Sequence, residues 1–268
     1  MKIFLCMIGF VCMVFAQERL VVLDPASIEI IYELGSGDEI IAIAHLQHSN
    51  IAPKDKTSKL PSVGSFSNPS IEKIISFKPT LVILSSYSLG LQERLAQLGI
   101  KTMYLQAKRL SDLEKNITTL ATLLHKEKAG IALNNRIKEE FLLLEQEPLN
   151  KSALFLFSSN PLMGFTDNSV IADIFALIGV KNVTPPSEID RPIISSEFIL
   201  KTNPDMIVLG IEAKDSQILL KQNPALKNTK AAKNNHIFAY PHTYSLLRVS
   251  PSIVEHIKAF KEILQNKE

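Results

Sequence analysis

The sequence predicts an α/β protein with two Rossmann-like lobes, each built on a mainly parallel sheet, bridged by one long α-helix. Three observations carry this prediction. Short apolar, β-branched runs alternate with amphipathic stretches in both halves of the 268-residue chain, as strands and helices do in α/β folds. Helical periodicity runs almost unbroken through residues 113–145. A segment that starts at residue 70 is echoed 125 residues later.

Composition narrows the function classes. The chain is 46% hydrophobic and 21% charged, which excludes a disordered, collagenous or coiled-coil protein. Its 29 basic and 27 acidic residues give a formal charge of +2, with no polybasic run, so nucleic-acid binding has no electrostatic support. Trp is absent and Phe numbers 13. An aromatic binding surface must therefore use Phe and Tyr.

The first sixteen residues have the pattern of a secretory signal peptide. Lys2 precedes an uncharged apolar run over residues 3–15, and small or tolerated residues lead to Ala16. The alternative is a membrane anchor, but the run is shorter than the roughly 20 residues that a bilayer requires. Val11 before Cys12 fits a lipoprotein signal poorly. We expect cleavage after Ala16 and a periplasmic location.

Both cysteines of the chain, Cys6 and Cys12, lie in this segment. The chain from Gln17 onward therefore has no disulfide, no thiolate metal site and no cysteine nucleophile. No later stretch approaches 18 apolar residues, so we expect a mature protein that is soluble.

The expected elements follow in chain order. Asp24-Pro25 starts a helix, and Gly35, Gly99 and Gly179 end helices. The expected strands are 20–23, 39–44, 81–84, 101–105, 153–157, 206–209 and 237–239. The expected helices outside the centre are 26–34, 71–76, 91–98, 169–178, 196–201 and 251–265. The predicted regions are an N-terminal lobe (17–112), a bridging helix (113–147, with a bend allowed at 126–129) and a C-terminal lobe (148–268).

The internal echo joins residues 70–83 to residues 196–208. Each copy has a glutamate near the start of a short helix, Glu72 or Glu197, then a proline turn and an apolar strand. Any βαβ unit can produce this pattern. Together with the central helix, it indicates two lobes of similar build.

In the order and spacing of several segments, the chain resembles the class III periplasmic substrate-binding proteins, which serve ABC importers of iron-siderophores, haem and cobalamin. The resemblance covers essentially the whole mature chain. Five segments carry it: residues 19–30, 63–72, 78–82, 203–208 and 248–251. The short length and residues 159–163 are most similar to the cobalamin-binding branch.

The resemblance implies a ligand cleft between the lobes, and docking of Glu72 and Glu197 onto arginines of a permease dimer. An exposed carboxylate at each tip of a two-lobed body gives a charge-steered contact to Arg. The alternative is two solvated glutamates favoured by the helix dipole. With one stiff bridging helix, we expect the lobes to close by only a few degrees.

Ligand-binding residues are expected on loops at the carboxyl ends of strands. Phe66 takes the place of a stacking aromatic in the cobalamin binders. Arg191 and Arg248 suit ligand carboxylates or phosphate. The candidate ligand-binding residues are His45, His48, Ser65, Phe66, Tyr87, Phe165, Arg191, His242, Tyr244 and Arg248.

The chain also departs from its relatives. The cobalamin branch typically lines its cleft with Trp, which this chain lacks, and haem binders often carry a Tyr ligand where this chain has Ser65 and Phe66. His242 and Tyr244 are the weak candidates for direct metal ligation, since imidazole and phenolate both suit iron. A surface His or Tyr more often has no such role.

Other functions find less support. Only His45 and His48 form a close histidine pair, too few for a bare zinc site. No Gly-x-Ser-x-Gly motif is present. We expect a monomeric binding protein with no resident cofactor and no catalysis, whose ligand is a metal chelate (cobalamin, haem, a ferric siderophore or a nickel or cobalt complex). Two alternatives stay open: an exported α/β enzyme using the same cleft, and a ligand-free scaffold or adhesin.

Overall fold

The computed structural model describes residues 18–47, 49–213 and 215–265, so the predicted signal peptide lies outside the described residues. The N-terminal lobe contains a six-stranded sheet: β1 (Leu20–Val22), β2 (Ile40–His45), β3 (Ser62–Ser65), β4 (Asn68–Pro69), β5 (Leu81–Leu84) and β6 (Lys101–Tyr104). The spatial order is β4-β3-β2-β1-β5-β6, and every pair is parallel except β3 with β4. Its helices are α1 (Pro25–Glu33), α2 (Lys54–Thr57), α3 (Ile71–Ser76) and α4 (Gln92–Gln97).

The centre of the chain corrects the prediction of one long helix. It holds two helices, α5 (Ser111–Leu123) and α6 (Glu127–Glu145). A Schellman motif ends α5, in which the N–H of Lys126 donates to Ala121 and the N–H of His125 to Thr122. His125 takes the left-handed φ of 55° that glycine usually supplies. Because no glycine marks this helix end, the sequence shows uninterrupted helical periodicity across it.

The C-terminal lobe has a smaller sheet: β7 (Lys151–Ser159), β8 (Leu162–Gly164), β9 (Val180–Asn182), β10 (Met206–Leu209) and β11 (Ile237–Ala239). The order is β11-β10-β7-β8, with β9 beside the start of β7, and only β8 pairs antiparallel. The helices are α7 (Val170–Leu177), α8 (Ser196–Thr202), α9 (Ser216–Gln222), α10 (Lys230–Lys233), α11 (Thr243–Leu246) and α12 (Ile253–Gln265). The prediction of an α/β protein with two lobes, each built on a mainly parallel sheet, is confirmed.

The two central helices form an antiparallel hairpin between the lobes. The amide of Asn134 in α6 donates to Glu114 and Thr118 of α5, and a Cβ on Gly130 would lie 2.5 Å from the Cβ of Ala121. Helix α5 packs on α1, while α6 packs on α7 and α12. The largest hydrophobic cluster runs from the first sheet through both helices to the second sheet. The lobes thus share one core, and each has a further cluster under its outer helices.

The internal echo is a structural repeat. Ser70 and Ser195 cap α3 and α8, each accepting the backbone N–H three residues on. Each repeat then reaches a left-handed residue before its proline, Lys78 with φ 49° and Asn203 with φ 47°. The strands β5 and β10 follow at the same offset of 125 residues. The matched turns place both apolar strands beside the central strand of their sheet.

Within the described residues, no helix combines the length and the apolar character that crossing a bilayer requires.

Candidate functional site: a cleft between the lobes

A cleft of about 790 Å³ lies between the two lobes. Its walls come from residues just beyond β1, β2, β3, β5 and β6 on one side, and from the ends of β7, β10 and β11 on the other. In parallel sheets these carboxyl ends lie along one edge, so loops from distant parts of the sequence meet there. The volume is in the upper part of the range for small-molecule pockets.

The wall formed by the N-terminal lobe presents aromatic rings. The rings of Phe66 and Tyr87 pack with centroids 4.9 Å apart at an angle of 55°, and Tyr87 remains 67% exposed. The N–H of Phe66 donates to the carbonyl of His45, and Ser65 Oγ accepts the N–H of Asn68 at 3.1 Å. These bonds fix the loop after β3, so the predicted residues Ser65, Phe66, His45 and Tyr87 do line the cleft.

The wall formed by the C-terminal lobe presents a ring covered by a cation. The guanidinium of Arg191 lies 4.4 Å from the ring centroid of Phe157 and 5.4 Å from that of Phe165. The backbone N–H of Gly164 donates to the carbonyl of Pro192 at 3.3 Å, which holds this loop on β8. Within the described part of the chain, no carboxylate forms an ion pair with Arg191. Arg191 lines the cleft, and the guanidinium fork of an arginine suits carboxylates and phosphates.

Two predicted residues need correction. Phe165 is 3% exposed and packs against Phe155 in the core, so it does not line the cleft. The phenylalanine of this lobe that does line the cleft is Phe157, which follows Phe155 by two residues along β7. Arg248 lies at the cleft wall, but its guanidinium donates to Glu29, Asn50 and Ser49. The expectation that Arg248 meets a ligand carboxylate is not supported by this geometry.

The two weak metal candidates are not brought together in the cleft. Tyr244 lines the cleft, whereas His242 packs edge-on against Tyr240, with centroids 6.0 Å apart, away from the cleft lining. The predicted residue His48 lies outside the described residues. Among those described, no group of three or more His, Cys, Asp and Glu side chains is arranged to hold a metal ion.

Asp24 contributes a carboxylate at the base of the cleft. Its Oδ2 accepts the N–H and hydroxyl of Ser27 at 2.8 and 2.6 Å, which caps α1. Burial raises the pKa of Asp24 above its ordinary value, although the bonds from Ser27 and the charge of Arg248 act in the opposite direction. Lys108, Asp190 and Glu212 add charges of both signs. The cleft is therefore polar at its edges rather than uniformly charged.

The two expected docking glutamates occupy equivalent, exposed positions. Glu72 and Glu197 are each the second residue of a short helix, two residues after the serine cap. A hydrogen bond from its own backbone and one from the hydroxyl of Ser70 lower the pKa of Glu72. Both glutamates lie outside the cleft lining.

This arrangement, two α/β lobes facing each other across a ligand-sized cleft, is that of a two-lobed binding protein. A family described as "Periplasmic binding protein" matches residues 20–244. The chain belongs to the periplasmic binding protein family, as the resemblance predicted.

Individual relatives agree with this assignment. A vitamin B12-binding protein of Vibrio vulnificus (strain YJ016) is 27% identical over 91% of this chain and 92% of its own. An ABC transporter substrate-binding protein of Listeria monocytogenes EGD-e has a TM-score of 0.80 at 17% identity, covering 94% of this chain and all of that chain. A periplasmic haem-binding protein of Vibrio cholerae has a TM-score of 0.78 at 21% identity, covering 93% and 99%.

Two aromatic residues of the cleft were not predicted from the sequence. Phe157 lies near the end of β7, and Tyr104 ends β6. The strand-end rule that selected Tyr87 also applies to both. In a strand, Phe155 and Phe157 point to the same face, so the one nearer the carboxyl end reaches the cleft.

Proposed function

We propose that this protein binds a metal chelate, such as cobalamin, haem or a ferric siderophore, between its lobes and delivers it to the permease of an ABC importer. The single observation that carries this proposal is the cleft, where rings from the N-terminal lobe face a ring-stacked arginine from the C-terminal lobe. A bulky planar or macrocyclic ligand with acidic substituents matches both walls. The relatives named for vitamin B12 and haem support this ligand class.

The ligand class is tested by thermal-shift measurements with cyanocobalamin, haemin, a ferric siderophore and a nickel or cobalt chelate. A ligand at 100 times its dissociation constant stabilises the folded state by about 2.7 kcal/mol, which corresponds to roughly 5–11 °C for a chain of this size. Free amino acids and sugars serve as controls. A shift with these controls and none with the chelates would reject the proposed ligand class.

The proposed location is the periplasm, reached by a signal peptide that is removed after Ala16. Family membership supports export, and the charged, apolar and small-residue parts of residues 1–16 support cleavage. N-terminal sequencing of the periplasmic fraction is expected to return Gln17 as the first residue. A chain that starts at Met1 in the membrane fraction would contradict this.

The proposed permease contact uses Glu72 and Glu197. Both are exposed at matched positions of the two repeats, and carboxylates pair well with arginine forks. Reversing both charges with Glu72→Lys and Glu197→Lys is expected to abolish uptake into vesicles that contain the cognate importer, through like-charge contact. Ligand affinity of the isolated protein should stay unchanged.

The matched control for this experiment is the double substitution Glu139→Lys and Glu262→Lys. Both glutamates are exposed on helices, α6 and α12, and the change in net charge is the same. Uptake by this control should be normal. Normal uptake by the Glu72/Glu197 variant would remove the docking proposal, and loss of ligand binding would place those glutamates in the site instead.

A further inference from the structure

We propose that Glu29 and Arg248 form an inter-lobe latch, which holds the two lobes at their observed separation when no ligand is bound. In this proposal Arg248 is a positioning residue that shapes the cleft, not a ligand-contacting residue. The inference does not depend on which ligand the cleft binds.

The latch crosses between the lobes. Glu29 lies in α1 of the N-terminal lobe and Arg248 lies between α11 and α12 of the C-terminal lobe. Their side chains are 3% and 8% exposed, and Arg248 Nη1 donates to Glu29 Oε1 at 2.7 Å. Arg248 also donates to the carbonyl of Asn50 and to Ser49 Oγ, both at 2.7 Å. It thereby ties the cleft loop after β2 to the opposite lobe.

The carboxylate of Glu29 is fully partnered. Its Oε2 accepts the hydroxyls of Ser250 and Ser252, both at 2.5 Å, and its Oε1 also accepts the N–H of Ala52 at 3.1 Å. A buried ion pair is tolerated only where such additional bonds satisfy its remaining lone pairs. Separating the lobes would leave Glu29 with only the N–H of Ala52 and would remove Glu29, Asn50 and Ser49 as partners of the Arg248 guanidinium.

The position of the latch explains what it controls. Arg248 lines the main cleft, whereas Glu29 lines a second cavity of about 330 Å³ that also contacts α6 and α12. The ion pair is thus part of the wall between the two cavities. Opening the lobes at this point would join them and expose the pair to water. The latch therefore pre-forms the cleft, which lowers the ordering cost of ligand binding.

The chain provides a matched control pair. Glu33 in α1 and Arg136 in α6 also form an ion pair at 2.7 Å, but their side chains are 46% and 57% exposed. Exposed pairs contribute little to holding elements together. This pair starts from the same helix as Glu29, so removing it should leave the lobes in place.

The test measures the distance between the lobes by pulsed electron paramagnetic resonance. Spin labels are attached at Lys73→Cys in α3 and Lys201→Cys in α8, both exposed. Cys6 and Cys12 are changed to Ser in any chain that retains them. Ligand-free protein is expected to show one narrow distance population. Neither cyanocobalamin nor haemin should shift it by more than about 2 Å.

The latch is removed by combining Glu29→Gln with Arg248→Met, which leaves no buried unpaired charge. This variant is expected to gain a population longer by more than about 2 Å, whereas Glu33→Gln with Arg136→Met keeps the original distribution. If circular dichroism shows that the latch variant does not fold, the double substitution Ser250→Ala with Ser252→Ala replaces it in the test. This variant removes two donors to Glu29 and should broaden the distribution of distances between the spin labels.

Two results would overturn the latch. One is a ligand-free protein that, with the pair intact, already samples two separations. The other is a folded latch variant, or a folded serine variant in its place, that keeps the narrow distribution. Both are read without ligand, so they are independent of any failure of the proposed chelate binding.

Discussion

The two walls of the cleft use aromatic residues in different ways. On the N-terminal lobe, Phe66 and Tyr87 pack against each other and Tyr87 faces the cleft uncovered. On the C-terminal lobe, Phe157 is covered by the guanidinium of Arg191. The first wall presents the faces of aromatic rings, and the second presents the N–H donors of a guanidinium that stacks on an aromatic ring. The two lobes share a fold, yet their cleft walls differ in chemistry.

This difference indicates how a ligand would be oriented. An apolar ring system is expected against Phe66 and Tyr87, and a carboxylate or phosphate is expected against Arg191. The ligand that raises the melting temperature most is the probe for the following two binding predictions.

The largest effect is expected from the C-terminal wall. Arg191→Ala should weaken binding about 10- to 150-fold, because a hydrogen bond to a charged group contributes about 1.5–3 kcal/mol. Arg191→Lys keeps the charge but loses the planar stacking, so its loss should be intermediate. Isothermal titration calorimetry measures both. Lys108→Ala, on the opposite wall, is the control, and an equal loss there would show that overall charge matters rather than the stacked arginine.

A smaller effect is expected from the N-terminal wall. Phe66→Ala and Tyr87→Ala should each weaken binding about two- to tenfold, since an aromatic pair contributes about 0.5–1.5 kcal/mol beyond its buried area. Tyr87→Phe keeps the ring and should bind normally in the same titration. If Tyr87→Phe binds as poorly as Tyr87→Ala, the hydroxyl, and not the ring, contacts the ligand.

The smallest effect concerns stability, at the base of the N-terminal wall. Because burial raises the folded-state pKa of Asp24 above 3.8, ionising it costs stability as the pH rises from 3.8 through that pKa. Asp24→Asn retains a good helix cap and should raise the melting temperature at pH values above the folded-state pKa of Asp24, where the native chain must ionise this buried carboxyl. The difference should vanish near pH 3.

Scanning calorimetry across this pH range measures the effect of Asp24→Asn. The control is Asp24→Ala, which loses the cap and should cost about 1 kcal/mol relative to Asn. An Asn variant that becomes less stable than the native chain as the pH rises would show that the Asp24 carboxylate is stabilising.

The sequence predicted most of the fold because apolar strands and capped helices carry local signals. Strand β5 and helix α3 match their predicted bounds. Strands β3, β4, β8 and β9 were missed because, unlike the equally short β1, β5 and β10, none of them is an uninterrupted run of apolar residues, which is the signal that marks a short buried strand. The break at His125 was missed as a helix end because a non-glycine residue adopts the left-handed conformation there.

The site residues, like the strands and helices, were predicted where the signal is local in the sequence and missed where it is not. Tyr87 was found because it lies on the loop after the predicted strand β5, a local feature, and Phe66 was found through the resemblance to the cobalamin binders. Arg248 was interpreted as a ligand contact because its partner Glu29 is 219 residues away in the sequence, and no local pattern reveals such a pairing. Only the tertiary contact with Glu29 distinguishes Arg248, as a residue of the proposed latch, from a residue that contacts the ligand.

The repeat with its 125-residue offset bears on the proposed permease contact. The two lobes present Glu72 and Glu197 in matched local settings, each as the second residue of a short, serine-capped helix. A dimeric permease could meet this pair in either of two orientations related by half a turn. Ile193, 71% exposed and four residues before Glu197, has Asn68 as its counterpart in the other repeat. Because the two halves of a two-fold symmetric partner are identical, these two orientations are equivalent, and the apolar-for-polar exchange instead makes the two halves of the interface differ in either orientation.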